Sequence, residues 1–502
     1  MPLARSLRPS SPLPAAGPES AVTNAVVVRP FVVWLVPMVW TVALGLWGLD
    51  RHRSLWRDEA ATWQVAQRST AEIWHMLGNV DVVHGCYYLL MHVLFEWFGA
   101  GTTTLRLPSV LATAVAAATV GAIGRRLAGP WAGLAAGTAF ALLPAVQFYL
   151  QEGRPYALVA ACAGGATLLL VTLLQGEGRM PGRWAAYGAT IVLGGLLNWL
   201  SLLILAAHLV TLVRIRAERR VWLSWAAAAS VATCCVLPLV IFSRGQSAQV
   251  SWIPPLTWHM LIGPGILLGI GCVGTLADAS RRHRLSLSAI ALPLLALPQL
   301  ALIGVSLIQP LFLDRYVLFS LLGLALLIGS LVDAAVRFVR SRRPRLAPWV
   351  LPLVLVVATG ALTPQLLAKR SPASRVDDVL AIAGDVRTLA GPGDAVLFVP
   401  AARRDTKSVS PKAFSGLQDI ALAQSPQASG TLKGTEAGPR HIRAAMLTHR
   451  RILLVTDAPQ VAKPATARRD RTKMRVLERY YSPVSDKQVR GRRVTLYERA
   501  AR

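Results

Sequence analysis

Charge is scarce in this sequence. Only 16% of its 502 residues are Asp, Glu, Lys or Arg, while 54% are hydrophobic, a balance that excludes an ordinary soluble enzyme. Cysteine is scarce too. Cys86, Cys162, Cys234, Cys235 and Cys272 lie in or beside apolar runs, at spacings that give neither a disulfide framework nor a zinc site, so they read as small core residues. A glycine-rich loop for nucleotide phosphates is missing, and "GPGD" at 391 to 394 reads as a turn. Acids are the rarest charges, 25 against 53 Lys and Arg, so few candidates for acid or base chemistry exist outside the apolar runs.

What is present is a series of apolar stretches near the length of about 20 residues that a spanning helix needs. They fall near 29–49, 106–124, 130–150, 155–175, 184–198, 200–213, 222–240, 259–277, 286–308, 316–336 and 348–366. The pattern predicts a polytopic all-α membrane protein of about eleven spans. Basic residues come in bursts between the runs, among them Arg125-Arg126, "RIRAERR" (214 to 220), "SRRHR" (280 to 284) and "RFVRSRRPR" (337 to 345). Such bursts orient helices rather than bind nucleic acid. With each burst cytoplasmic, the amino terminus lies inside and the carboxy-terminal portion outside. Residues 1–28, rich in Pro, Ser and Ala, read as a disordered cytoplasmic tail. "YYLLMHVLFEWF" (87 to 98) is apolar but short, and counting it as a span would invert every later burst. It reads as an interfacial helix within one long outer loop over residues 50–105. The transmembrane unit then covers 29–370.

From 371 to 502 the composition changes, with 24 Lys and Arg against 12 Asp and Glu. A small extracytoplasmic α/β domain is expected there. It has a helix over 376–389, strands "AVLFVP" (395 to 400) and "RILLVT" (451 to 456), and a terminal hairpin from "MRVLERYY" to "RRVTLYER". Residues 403–440 read as a mobile insertion.

The outer segments hold few acids. "SLWRDEAATW" (54 to 63) puts Asp58 and Glu59 just past the first span, "QEGRPY" (151 to 156) carries Glu152 and Arg154, and "QPLFLDRYVLF" (309 to 319) carries Asp314 and Arg315. All fall on one expected side of the bilayer. Taken singly, each has an ordinary explanation as a loop acid, a local ion pair or a snorkelling anchor. Together, "LWRDEA", "HGCYYLLMHVLFEWFG", "LRLPSVL" and "FYLQEGRPYAL", with a looser echo in "LDRYVLF", resemble the glycosyltransferase family 39 group. That group comprises membrane glycosyltransferases of the C-type fold, including protein O-mannosyltransferases and aminoarabinose transferases of lipid A. The ordered match covers roughly residues 30 to 175. Gly85 and Cys86 stand where many relatives have two prolines.

The resemblance implies transfer of a sugar from a polyprenyl-phosphate donor to a hydroxyl acceptor on protein, lipid or wall glycan. Nucleotide sugars stay inside, so an outward-facing site needs a lipid-linked donor. Inversion at the anomeric carbon requires a base, assigned to Asp58 with Glu59 beside it. The phosphate leaving group requires charge neutralisation, assigned to Arg315 and Arg154. Glu152, His84, Tyr88, Arg106, Tyr156 and Tyr316 complete the expected substrate-binding group. Metal use is left open: a divalent cation bridging Asp58, His84 and Glu152 suits their oxygen and imidazole donors. The rival readings are a secondary transporter and a non-enzymatic scaffold. A transporter should carry polar residues at mid-membrane, where this chain has mostly Ala, Leu, Val and Gly. His208 is the exception and reads as a packing histidine. The Ala, Arg, Gly and Pro content suits a GC-rich bacterial genome, a bacterial plasma membrane and mannose as the sugar.

Overall fold

Every apolar run named above is helical. The computed structural model describes residues 29–177, 181–247 and 251–500, and the tail expected over 1–28 lies outside them. In chain order the helices are α1 (Val32–Leu46), α2 (Arg57–Ala66), α3 (Thr70–Asn79), α4 (Gly85–Phe98), α5 (Thr102–Ala128), α6 (Pro130–Leu142), α7 (Pro144–Tyr149) and α8 (Tyr156–Thr172). They continue as α9 (Pro181–Leu197), α10 (Ile204–Ile215), α11 (Arg219–Arg244), α12 (Trp258–Ala277), α13 (Leu287–Ser306), α14 (Leu321–Arg342) and α15 (Val350–Arg370). Among the described residues, seven helical stretches are long and apolar enough to cross a membrane by themselves. The fold is that of a polytopic all-α membrane protein with a small carboxy-terminal sheet region.

Small residues let the central helices approach closely. A Cβ at Gly133 on α6 would collide with the Gly121 carbonyl on α5, and one at Gly137 would strike Pro37 on α1. Only glycine fits such backbone contacts, the usual basis of close packing where lipid offers no hydrophobic drive. By contrast, α11, α12 and α15 turn apolar side chains outward, including Val231, Ile241, Ile266, Val273, Val356 and Val357. Cys234, Cys235 and Cys272 are exposed on α11 and α12, which corrects the expectation that all five cysteines are core residues. A lipid-facing surface is as apolar as a core, so hydrophobicity alone could not separate the two. His208 is buried and held by Tyr187 and Thr167, at 2.8 and 3.1 Å, as a packing histidine should be.

One end of the bundle gathers the basic bursts: Arg126 bonds Gln175 and Arg337 bonds the Ala277 carbonyl, joining helix carboxy termini. The opposite end carries α2 to α4, the α7–α8 turn and the root of the carboxy-terminal unit. Helix α4 has 14 residues, a length of about 21 Å against a hydrocarbon core of about 30 Å.

Beyond α15, a mixed five-stranded sheet has the order β2-β1-β5-β7-β6. Its strands are β1 (Ala395–Val399), β2 (Gln418–Asp419), β5 (Arg451–Asp457), β6 (Tyr481–Val489) and β7 (Arg492–Arg499), while β3 (Leu422–Gln424) pairs with β4 (Thr435–Glu436). Interior β1, between β2 and β5, is buried along its whole length, which is why its sequence is continuously apolar. Val396 and Phe398 pack on α16 (Val379–Leu389), whereas Ala395 and Leu397 face α18 (Pro439–Thr448) and α19 (Arg468–Tyr480). Two expectations are corrected. "MRVLERY" belongs to α19, where Lys473, Val476 and Leu477 are buried at helical spacing, and the hairpin is β6–β7. Residues 403–440, expected to be mobile, pack around buried Arg404, which ion-pairs with Asp419 and Glu436 at 2.6 and 2.9 Å. Ala413, Phe414 and Leu417 pack into the core on the α16 side and Ile420 and Ala421 on the other, so apolar burial holds the segment together with the paired charges.

Candidate active site

Helix α2 opens with extended Trp56 and places Asp58 and Glu59 in its first turn, where the helix dipole favours negative charge. Successive helical positions diverge by about 100°, so the two acids aim at different surroundings. Asp58 meets Arg315 Nη1 at 2.8 Å, with the two side chains 24% and 14% exposed. Glu59 turns into the interior and is fully buried.

There Arg106 grips Glu59 bidentately, Nε and Nη2 each at 2.7 Å, and the Gly153 amide adds a bond of 3.1 Å. The remaining Arg106 contacts are to the Leu49, Asp50 and Ser54 carbonyls at 3.0, 3.0 and 2.6 Å. Burial by itself would raise the Glu59 carboxyl, but the charge and hydrogen bonds of Arg106, aided by Arg51, bring it down to about 2. Glu59 and Arg106 thus form a buried strut. Gly153 has to be glycine in this packing, because a Cβ would stand 2.5 Å from Leu105 Cγ.

Glu152 is buried in the same layer. Trp56 Nε1 donates to its Oε1 at 2.7 Å, and Arg375 donates to its Oε2 from Nε and Nη2 at 3.1 and 2.7 Å. Burial pushes this carboxyl above the usual glutamate range; Arg375 opposes the rise and Glu59 adds to it. The next charge along, Arg154, turns away toward His84, whose Nε2 lies 3.0 Å from Arg154 Nη2 and whose Nδ1 lies 2.8 Å from Asp81. Tyr88 donates its hydroxyl to the other Asp81 oxygen. Burial, then the Arg154 charge, lowers the His84 pKa, in keeping with a neutral ring that accepts from Arg154 and donates from Nδ1 to Asp81.

The group around Arg315 differs from these closed pairs. Its guanidinium lies 5.7, 5.6 and 5.7 Å from the ring centroids of Tyr156, Trp252 and Tyr316. Four buried polar atoms here have no hydrogen-bond partner among the described residues: Arg315 Nε, Arg154 Nε, Arg154 Nη1 and the Tyr156 hydroxyl. Buried donors without acceptors are costly unless a ligand completes them. The chemistry that completes guanidinium and phenol donors is an oxyanion, and phosphate above all.

The expected site residues therefore divide into two sets. Asp58, Arg154, Tyr156, Arg315 and Tyr316 converge on one polar recess, with His84 and Tyr88 holding Arg154 from behind. Glu59, Arg106 and Glu152 are locked into the buried layer beneath. Trp252, Asp81 and Arg375 were not among the expected site residues; Arg375 carries no local signal, since it lies far along the chain in a polar connection. No group of three or more His, Cys, Asp or Glu residues is arranged to hold a metal among the described residues. Of the three ligands considered for a cation, Asp58 faces Arg315 and Glu152 faces Arg375, while His84 presents a nitrogen to Arg154. A guanidinium beside each donor does not fit a cation site.

No known family model matches this chain, and no curated protein sequence does. Solved structures do match. ArnT from Cupriavidus metallidurans in its apo state superposes with a TM-score of 0.60 at 14% identity, over 92% of this chain and 97% of that one. The same protein bound to undecaprenyl phosphate gives 0.57 at 13% identity, over 93% and 98%. The oligosaccharyltransferase AglB from Archaeoglobus fulgidus, in complex with an inhibitory peptide and a dolichol-phosphate, gives 0.51 at 11% identity, over 94% and 74%. This chain has the C-type fold of the membrane glycosyltransferases.

Proposed function

We propose that the protein is a membrane glycosyltransferase that moves a sugar from a polyprenyl-phosphate donor to a hydroxyl acceptor at the outer face, with inversion. The observation that carries this reading is the pairing of a partly exposed carboxylate, Asp58, with a recess of unpartnered donors on Arg315, Arg154 and Tyr156. It joins a base to an anion-binding surface in one place. The bound undecaprenyl phosphate of ArnT and dolichol-phosphate of AglB support the donor class, on the shared fold.

In this reading Asp58 takes the proton of the acceptor hydroxyl as its oxygen attacks the anomeric carbon. The bond from that carbon to the phosphate oxygen breaks on the opposite face, and polyprenyl phosphate leaves with the electron pair. A phosphate needs no general acid, so the developing charge falls to Arg315 and Arg154. Arg315 is suited to both tasks: Nη1 steadies Asp58 while Nε remains for the phosphate. The ring of Tyr156, Trp252 and Tyr316 holds its plane. Glu59, Arg106 and Glu152 position α2 and the 150–156 turn and do not touch substrate. The site end of the bundle is extracytoplasmic, because the basic bursts gather at the other end. Residues 371–502 form the extracytoplasmic domain, and the amino terminus is cytoplasmic.

The test is to incubate membranes containing the protein with radiolabelled polyprenyl-phosphate sugars, mannosyl and aminoarabinosyl lipids first. Label should reach a hydroxyl acceptor and should not do so with Asp58→Asn, although that variant inserts normally. Full transfer by Asp58→Asn rejects the assigned base.

A further inference from the structure

Helix α2 has ten residues, fewer than the 12 to 15 or so at which an isolated helix becomes stable in water, so tertiary contacts must fix where it begins. Besides the Glu59–Arg106 pair, those contacts come from the root of the carboxy-terminal unit. The Val379 amide donates to the Leu55 carbonyl at 2.6 Å, and the Leu55 amide meets Asp378 Oδ1 at 3.4 Å. Asp377 accepts the Arg57 amide and Arg57 Nε, each at 3.0 Å, across 320 residues of sequence. Between them, Trp56 reaches the same segment through Glu152, which Arg375 clamps from the other side. All three residues immediately before Asp58 are thus tied, directly or through one side chain, to residues 375–379.

The tie is anchored at its far end. Asp377 also accepts from buried Arg492 Nε on β7 at 3.0 Å, and Arg492 is bidentate to Asp405 on α17 (Asp405–Val409) at 2.8 and 2.7 Å. Asp378 caps α16 through the Leu380 and Ala381 amides, both at 3.1 Å. The sheet and its first helix therefore set the backbone one residue ahead of Asp58. Among the described residues, Asp377, Asp378, Arg492 and Asp405 make no hydrogen bond or ion pair to Arg315, Arg154 or Tyr156.

Resting on the glycosyltransferase reading, we infer that Asp377 and Asp378 are positioning residues for Asp58, and that the carboxy-terminal unit is a working part of the active site rather than an appended module. Loosening this tie lets the first turn of α2 drift, so Asp58 leaves Arg315 and the acceptor hydroxyl while the phosphate-binding side stays in place. A displacement near 1 Å is enough to cost on the order of 10² in rate.

The experiment uses the full chain in lipid nanodiscs, as wild type, Asp377→Ala and Asp377→Asn. Hydrogen exchange of the peptide covering residues 54–60 should quicken in Asp377→Ala, while the α5 peptide keeps its protection. With a polyprenyl-phosphate sugar, kcat of that variant should fall about 100-fold and KM for the donor should stay within about twofold. A general folding defect would instead lower the amount of active enzyme and cost the α5 peptide its protection as well. Asp377→Asn keeps an acceptor for the Arg57 amide and should recover part of the rate. Unchanged exchange at 54–60 overturns the inference. So does faster exchange with kcat unmoved. Wild-type protein that transfers no sugar instead overturns the parent reading.

Discussion

Replacing Glu59 by Gln leaves a nearly isosteric side chain and removes one charge from the buried strut. Its magnitude follows from two independent routes. The carboxyl falls from its ordinary 4.5 to about 2 in the fold. At 1.36 kcal/mol per tenfold change in proton affinity, that is about 3 kcal/mol of stabilisation near neutral pH. Removing one partner of a buried ion pair costs roughly 3 to 5 kcal/mol, because the remaining charge keeps its desolvation cost. Arg106 would keep only its three carbonyl acceptors and a neutral amide. The sign in pH is fixed by the direction of the change. A carboxylate depressed in the fold stabilises above its unfolded value, and that stability is lost as pH falls from about 4.5 toward about 2. Unfolding by sodium dodecyl sulfate titration in micelles, repeated across this window, reads both effects. Wild type should lose about 3 kcal/mol on acidification through it, and the Gln variant should start lower by about that amount and lack this part of the acid slope. A variant within about 1 kcal/mol of wild type at pH 7, or with the same acid slope, refutes the buried strut.

Three further outcomes follow from the recess. Arg315→Lys should lower kcat by about 10² to 10³, since an ammonium supplies neither the Nε donor nor a plane to sit among three aromatic rings; a rate within about threefold of wild type would mark Arg315 as a mere anchor. Acidification below the ordinary histidine range should weaken donor binding once the depressed His84 pKa is crossed, because an imidazolium cannot accept from Arg154. KM for the donor measured from pH 7 downward checks this, and His84→Gln should flatten the dependence. Gly153→Ala should destabilise by about 1 to 3 kcal/mol through contact with Leu105, read as a lower thermal midpoint in detergent.

Much of this was open to inspection in the sequence, for identifiable reasons. Helices that cross a bilayer must satisfy their backbones internally, so apolar runs of sufficient length announce them, and basic bursts sort their ends. Strands β1 and β5 were legible because a strand covered on both faces is apolar throughout. The gathering of Asp58, Arg154 and Arg315 was legible because all three sit at helix ends on the same expected side. The division of labour between Asp58 and Glu59 was not. Adjacent acids look alike in a sequence, and only the turn of α2 sends one toward Arg315 and the other toward Arg106. Nor could the partners of Glu152 be read. Arg154, two residues away, was the local choice, yet Arg375 takes the carboxylate across 223 residues. Residues 403–440 were misread because their few core residues, Ala413, Phe414, Leu417, Ile420 and Ala421, are spread through a polar stretch that buried ion pairs help to hold.

The surplus of basic residues shapes how the buried arginines are satisfied. With 53 Lys and Arg against 25 acids, not every buried guanidinium can face a carboxylate. Arg370 shows one resolution: with no acid partner, it donates to the Trp47, Leu366 and Leu44 carbonyls at 3.0, 2.8 and 2.6 Å, and to the Gln147 side chain at 2.9 Å. Arg106 adds three carbonyls to Glu59. Arginines closed in this way have nothing left to offer a ligand, however well they sit near a site. Arg154 and Arg315 keep buried N–H groups without acceptors, beside a tyrosine hydroxyl in the same condition. Arg51, Arg57, Arg68, Arg403 and Arg451 also keep such groups, so the deficit alone does not mark a site; what sets Arg154 and Arg315 apart is that theirs lie beside Asp58 and the Tyr156 hydroxyl. That juxtaposition, with the partly exposed member of the acid pair 2.8 Å from Arg315, is the observation on which the proposed chemistry rests.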